Sequence, residues 1–341
     1  SMWRLQIRSW LRRRSWTRPR RALPTDAEPA SGRQGEPRTL RVMSFNLRFD
    51  NGHDTRLGRG WQDRRSKVAD VIAGSGVHIV GTQEGLASQL RDLRADLLNL
   101  GVDFPSCGKA RDLALGCWPV GEHCAVWHCE SEVRRLAADT FALSETPERL
   151  GSRSWGSACS RIATYAWYRL DGEFGAGNRG CVLFLNTHLD HRSGDAQREG
   201  SRLIVQRLRE LEAAGPPQYG LDHLGTIVVG DFNCWQRGAD GECGAVFSAF
   251  KDAGFKDACT EAGGTADCPS ETFHDFKPEV KTTPSSSLLQ SGRPHQHIDW
   301  ILWRGVGLRL KSFRVVTAGA DRSSAPPPSD HFPVLAEFEL A

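Results

Sequence analysis

Hydrophobic runs along this chain are repeatedly bounded by short polar motifs: Ser44-Phe45-Asn46, Gln83-Glu84, Asn186-Thr187-His188, Gly230-Asp231-Phe232-Asn233, His297-Ile298-Asp299 and Ser329-Asp330-His331. The runs are rich in Val, Ile, Leu and Phe and read as buried strands, so their polar ends are expected to gather at one rim of a sheet assembly. That expectation limits the domain organisation. The motifs reach from Asn46 to His331, so a single site built from them requires one domain after about residue 40 and leaves no room for a second.

Thr39 to Leu47 reads as a strand, Trp61 to Ala73 as a helix and Val77 to Thr82 as the next strand. Leu86, Leu90, Leu93 and Leu97 then recur at helical spacing and are read as one buried stripe. Shorter runs at Ala125 to Trp127, Thr140 to Leu143 and Ile162 to Trp167 look antiparallel. Further strands are expected at Cys181 to Asn186, Thr226 to Val229, Ile298 to Trp303, Leu308 to Val316 and Phe332 to Phe338, with a helix marked by Leu203, Ile204, Leu208 and Leu211. Strands outnumber helices and the helices are dispersed, which predicts two sheets packed face to face with helices outside. No internal repeat stands out, and residues 262–297 form a long polar segment of the kind that is functional or unstructured.

Composition is that of an ordinary globular chain, 39% apolar and 25% charged over 341 residues. The net charge of +3 conceals an asymmetry: residues 1–41 hold eleven Arg against Asp26, Glu28 and Glu36, a surplus of eight that leaves the remainder about five units negative. An acidic body lacks the cationic footprint of a protein that binds long polyanions. Residues 1–38 read as an Arg-rich, Pro-containing leader or linker, disordered or targeting, and residues 39–341 as the catalytic domain. The leader has no stretch apolar enough for a secretory or membrane segment. An intracellular location is expected, with a mitochondrial or plastid presequence among the readings of the basic start. Ten cysteines form no CxxC pattern, and reduced thiols are expected, although Cys107/Cys117, Cys234/Cys243 and Cys259/Cys268 are close enough in sequence for local bridges.

Carboxylate and amide oxygens select hard divalent cations such as Mg²⁺ or Mn²⁺, and histidines paired with carboxylates orient water and move protons. The motifs offer both, a combination suited to a phosphate ester. Asp231 and Asn233 are two residues apart and so share one face of an extended segment. Asp299, between Ile298 and Trp300, needs a partner if buried, and His331 is the natural one.

The ordered set resembles the endonuclease/exonuclease/phosphatase superfamily, the deoxyribonuclease I-like metal-dependent phosphoesterases, over about residues 39 to 341. The resemblance implies an α/β (α+β) fold, a four-layer α-β-β-α sandwich with two central mixed sheets flanked by helices. Carried over residue by residue, it makes Glu84 the principal metal ligand with Asn46 beside it and Asp330 as a further ligand. Asp231 would align the attacking water, Asn233 would hold it, and His331, oriented by Asp299, would contact the scissile phosphate. His188 would be the second catalytic histidine, oriented by Glu122, and Arg161 would steady the phosphate. The implied cofactor is Mg²⁺ or Mn²⁺ and the implied reaction is in-line attack by water on phosphorus.

Substrate is less constrained. Arg48 stands two residues after Asn46, where apurinic endonucleases carry an acid, and His297-Ile298-Asp299-Trp300 departs from the inositol polyphosphate 5-phosphatase pattern. Leu143-Ser144-Glu145-Thr146-Pro147 and Asn186-Thr187-His188-Leu189-Asp190-His191 resemble a broad microbial subgroup. A nuclease is the first expectation, with a small-molecule or lipid-headgroup phosphoesterase as the alternative and a phosphate-binding scaffold as a remote one. The partner is therefore a phosphate ester, nucleic acid included, and a monomer is expected. Trp61, Trp118, Trp155 and Trp235 are candidates for stacking at a rim, and His274 and His295 for lining the substrate mouth.

Overall fold

In the computed structural model, side chains of the first strand sort by parity: Leu40 and Val42 enter one apolar core, Met43 and Phe45 another. This two-residue period is the pleat itself, and it identifies β1 as a strand covered on both faces. The structure describes residues 38–114, 118–174, 179–218, 220–234, 242–263, 271–277, 297–317 and 326–341.

Along the chain the elements are β1 (Thr39–Asn46), α1 (Gly52–Arg56), α2 (Trp61–Gly74), β2 (Ile79–Gly85), α3 (Ala87–Asn99), β3 (Ser106–Cys107), β4 (Ala110–Ala114), β5 (Trp118–His128), β6 (Val133–Ala142) and β7 (Ile162–Leu170). They continue with β8 (Gly180–His188), α4 (Gly194–Ala214), β9 (Asp222–Asp231), α5 (Glu242–Lys251), β10 (Lys256–Asp257), α6 (Ala258–Glu261), β11 (Asp299–Arg304), β12 (Leu308–Val315) and β13 (Val334–Leu340). One sheet runs β12-β13-β1-β2-β5-β3, with β4 also on β5; the other runs β10-β11-β9-β8-β7-β6. Each sheet is mixed, because β1 lies parallel to β2 and β8 parallel to β9 within otherwise antiparallel surroundings. All belong to one compact unit, Pro37–Ala341.

Three apolar layers hold the sandwich. Val42, Ile79, Phe184, Ile227, Ile301 and Phe338 meet between the sheets. Val68, Ile72, Leu93 and Leu97 of α2 and α3 cover the outer face of the first sheet, while Ile204, Leu208, Val246 and Phe250 of α4 and α5 cover that of the second. Full burial of each such side chain contributes roughly 1.5–3 kcal/mol. The layer order is helix, sheet, sheet, helix, as the resemblance implied. Between the sheets Gly81 leaves room for its neighbours: a Cβ there would lie 2.4 Å from Val229 Cγ2 and 2.8 Å from Asn186 Cγ.

Some expectations shift. The last strand begins at Val334 rather than Phe332, because the Phe332 amide donates to Thr272 O and Pro333 has no amide proton to give the ladder. Trp61 is core, not rim: it is buried in α2 and its Nε1 donates to Asp92. His274 is buried against the Phe332 ring, 4.2 Å between centroids, rather than lining an open mouth. Trp155 is half-buried, with its carbonyl accepting from Ser193 Oγ. Trp235, His295, residues 1–37 and the Trp118 side chain lie outside the described residues. Cys107, Cys124, Cys129, Cys159 and Cys181 are free thiols, whereas Cys117, Cys268 and the side chain of Cys243 lie outside the described residues. No described helix is long and apolar enough to cross a membrane.

Candidate active site

Strand parity places most of the site. Val42, Phe184, Ile227 with Val229, and Ile301 point into the layer between the sheets. Counting by twos from each reaches Asn46, His188, Asp231 and Asp299, so each is a terminal inward-facing position, the last of β1, β8 and β9 and the first of β11. All four are buried, at 0%, 6%, 2% and 1% exposure. Glu84 breaks the count. Ile79 faces inward, so Gln83 shares its side and Glu84 would face the helices. A left-handed φ of 63° and a register shift between Thr82 and Gly85 turn Glu84 back toward the rim. Non-glycine residues adopt this conformation at a cost of about 1–3 kcal/mol, and such strain concentrates at functional positions.

Beneath the rim a polar floor ties the sheets together. Gln83 Nε2 donates to Asn186 Oδ1 at 2.7 Å and Ser44 Oγ at 3.1 Å, and Asn186 Nδ2 donates to Thr82 O and Ala125 O. Gln83 and Asn186 are therefore structural, although they share motifs with Glu84 and His188.

At the rim, His331 Nδ1 meets Asp299 Oδ2 at 2.8 Å, and His331 Nε2 stands 3.8 Å from Asp231 Oδ2. His188 Nε2 lies 3.4 Å from the same Asp231 oxygen. Asn233, at φ 50°, donates from Nδ2 to His188 Nε2 at 2.9 Å and to Leu189 O at 3.0 Å. The carbonyl acceptor fixes the Asn233 amide, so His188 Nε2 carries a lone pair. Asn46 Nδ2 bridges Glu84 Oε1 at 3.1 Å and Asp231 Oδ2 at 3.0 Å. Its Oδ1 accepts from Arg48 N, so the ligand role expected of Asn46 requires its amide to turn over; as it stands, it holds the two carboxylates together. Asp330 is buried beside Arg48 Nη1 at 3.5 Å and accepts from Ser329 Oγ.

Electrostatics separate the two histidines. Burial disfavours the charged form of both. For His331 the carboxylates of Asp299, Asp231 and Asp330 outweigh burial and raise the pKa to about 10. His188 is driven well below 6.5 by burial and then by Arg161 and His331. Asp231 is raised to about 7 by burial and by Asp299.

Glu122 corrects an expectation. Its carboxylate accepts from Arg111 Nη1 at 2.7 Å and is not the partner of His188. Burial and the neighbouring Glu84 raise its pKa to about 7. Glu84, Arg111, Glu122, His123, Ser160, Arg161 and His188 line a narrow pocket of about 190 Å³, continuous with solvent. Arg161, 6% exposed, sends Nη2 to His191 Nδ1 at 2.9 Å, while its buried Nε has no hydrogen-bond partner. Its pocket position suits an anion. His191 is the residue sequence reasoning passed over; the Asp190-His191 wording was the available signal.

The donor set fits a divalent cation. Ligand atoms of Glu84, His188 and Asp231 lie within 4.8 Å of one another, and carboxylates gathered this closely are relieved by a cation between them. A second trio, Cys159, Asp190 and His191, is equally close, but Asp190 already accepts from the amides of Ala158, Arg192 and Ser193 and serves as a loop brace.

Similarity to known proteins agrees with this geometry. The Endonuclease/Exonuclease/phosphatase family profile matches residues 43–331. No match was found among curated proteins. An endonuclease/exonuclease/phosphatase family protein of Bacteroides thetaiotaomicron is 26% identical, with a TM-score of 0.69 over 90% of this chain and 100% of that one. A mannosyl-6-phosphatase of the same organism is 27% identical, with a TM-score of 0.68 over 88% and 99%. D. rerio TDP2, solved with a single-strand DNA product, shares the fold at 17% identity and a TM-score of 0.60 over 88% and 99%. By sequence and by fold, the chain belongs to the Endonuclease/Exonuclease/phosphatase family, whose members are phosphoester hydrolases.

Proposed function

We propose that this phosphoesterase removes a terminal phosphate from a small hydroxylated molecule, with a divalent cation held by Glu84 and a turned-over Asn46 beside Asp231. The observation that carries the catalytic part is the convergence of Glu84, His188 and Asp231 within 4.8 Å, beside the His331–Asp299 pair. A bound Mg²⁺ or Mn²⁺ would supply charge neutralisation at a phosphoryl oxygen. His331, cationic and fixed by Asp299, donates a hydrogen bond to the phosphoryl group. Asp231 accepts a proton from the attacking water. Asn233 keeps the His188 ring in one tautomer, and the guanidinium of Arg161 binds nonbridging oxygens. Attack is in line, and none of these roles calls for a covalent enzyme intermediate.

The pocket supports the substrate reading. Its polar wall of Arg111, Glu122 and Ser160 offers both donors and acceptors to hydroxyls. The body carries a negative balance, contrary to what a polyanion needs. Similarity to a mannosyl-6-phosphatase points the same way. The nuclease favoured by motif wording becomes the competing outcome. A matched hydrolysis panel with Mg²⁺, Mn²⁺ or EDTA decides: sugar phosphates should be cleaved faster than plasmid DNA or single-stranded RNA, and cleavage of polymers alone would reverse the choice.

A further inference from the structure

Arg64 of α2 is fully buried, and its guanidinium hydrogen-bonds only main-chain carbonyls. Nη1 reaches Leu47 O at 2.8 Å and Pro328 O at 2.7 Å, Nη2 reaches Arg48 O at 3.0 Å, and Nε reaches Arg59 O at 2.9 Å. Leu47 and Arg48 directly follow Asn46, and Pro328 precedes Asp330 by two residues. The side chain thus joins two loops that are about 280 residues apart in sequence, counted from Arg48 to Pro328. A second tie lies alongside, where Ser329 Oγ donates to Asn46 O at 2.7 Å. The rings of Phe276 and Trp61 lie 5.5 Å and 5.7 Å from the guanidinium and close it off.

A buried charge without a carboxylate partner is costly, and burial brings Arg64 down to about 10. Helix packing alone would be served as well by Leu or Met at this position of α2. What an apolar residue cannot supply is four directed donors in a planar fork, and a Lys ammonium offers only three from a point charge. The fork is matched to the carbonyls of the loops behind Asn46 and Asp330.

We infer that Arg64 is a positioning residue: with Ser329 it clasps the Asn46 and Asp330 loops together, and this clasp sets the affinity of the rim for its divalent cation. The inference rests on the metal reading above. Titration of Mn²⁺ into the full chain by calorimetry tests it, with circular dichroism and thermal melts as fold controls. Arg64→Lys should weaken Mn²⁺ binding about tenfold, the lower range for groups that orient metal ligands from behind, while retaining a cooperative melt. Ser329→Ala, which deletes one hydroxyl, should weaken it about threefold and decides the matter where Arg64→Lys does not fold. Kinetically, both variants should need more Mg²⁺ for half-activation yet approach the parent kcat at saturation. A merely structural Arg64 would lower the melting temperature and leave Mn²⁺ affinity unchanged. Affinities equal to the parent in every folded variant overturn the clasp alone; no Mn²⁺ binding by the unaltered protein overturns the metal reading and the clasp together.

Discussion

His331 and His188 approach the same Asp231 oxygen, at 3.8 Å and 3.4 Å, from opposite sides of the cleft. On one side three carboxylates surround His331 and keep it cationic; on the other, burial, reinforced by Arg161 and His331 itself, keeps His188 neutral. The same side chain becomes a donor in one half and an acceptor in the other, set by burial and by its charged neighbours. Such a division is how a site built from a few residue types obtains an acid-like and a base-like group at one pH. It also explains the unequal supports: a carboxylate for the histidine that must hold a proton, and the Asn233 amide for the one that must not.

If that division is real, the cationic half should be the more sensitive. His331→Ala is expected to lower kcat by about 10³-fold or more, and Asp299→Asn by about 10²-fold, in steady-state assays with little change in melting temperature. On the neutral side, Arg161→Lys keeps charge but loses the fork and should raise KM about tenfold while changing kcat less. A variant that loses kcat but not KM would place Arg161 elsewhere in the reaction.

Stability of the metal-free protein should show opposite signs for the two histidines. His331 is raised above its unfolded value, so its contribution is complete below about pH 6.5 and is lost as pH rises toward 10. Asp231, raised to about 7, loses its contribution in the same direction between about pH 4 and 7. His188 is depressed, so its contribution is present above about pH 6.5 and is lost as pH falls below it. Melting curves across pH 5 to 10 should therefore lose their alkaline decline in His331→Gln, and part of their acid decline in His188→Gln. Unchanged limbs in both variants would contradict the separation. The smallest effect is expected for Glu122→Gln, within about threefold in kcat, because its carboxylate serves Arg111. A loss of about 10²-fold would instead tie Glu122 to His188.

Much of this was legible in sequence because strands have a strict period. Apolar runs ending in Asn46, His188 and Asp231, or beginning at Asp299, put those residues at one rim, and two-residue spacing gives their common face. Glu84 illustrates what pattern leaves out: its direction depends on a bulge and a left-handed φ that nothing in Thr82-Gln83-Glu84-Gly85 announces. Glu122 was misassigned because its partner, Arg111, comes from β4, a strand too short and polar to be read from periodicity. Arg64 carries no signal of its own within the helical pattern of Trp61 to Ala73. Only the fold brings four carbonyls around it. Arg48 read as a departure from relatives, and its role as the counter-charge of Asp54 and Asp330 appears only when the loops meet.

The central claim is that remote strand ends surround one cation beside the reacting phosphate. Anomalous diffraction from crystals grown with Mn²⁺ tests it most directly. The account predicts a peak bonded to Glu84 within reach of Asp231. A peak held only by Cys159, Asp190 and His191, or no peak in the cleft at saturating Mn²⁺, would contradict it.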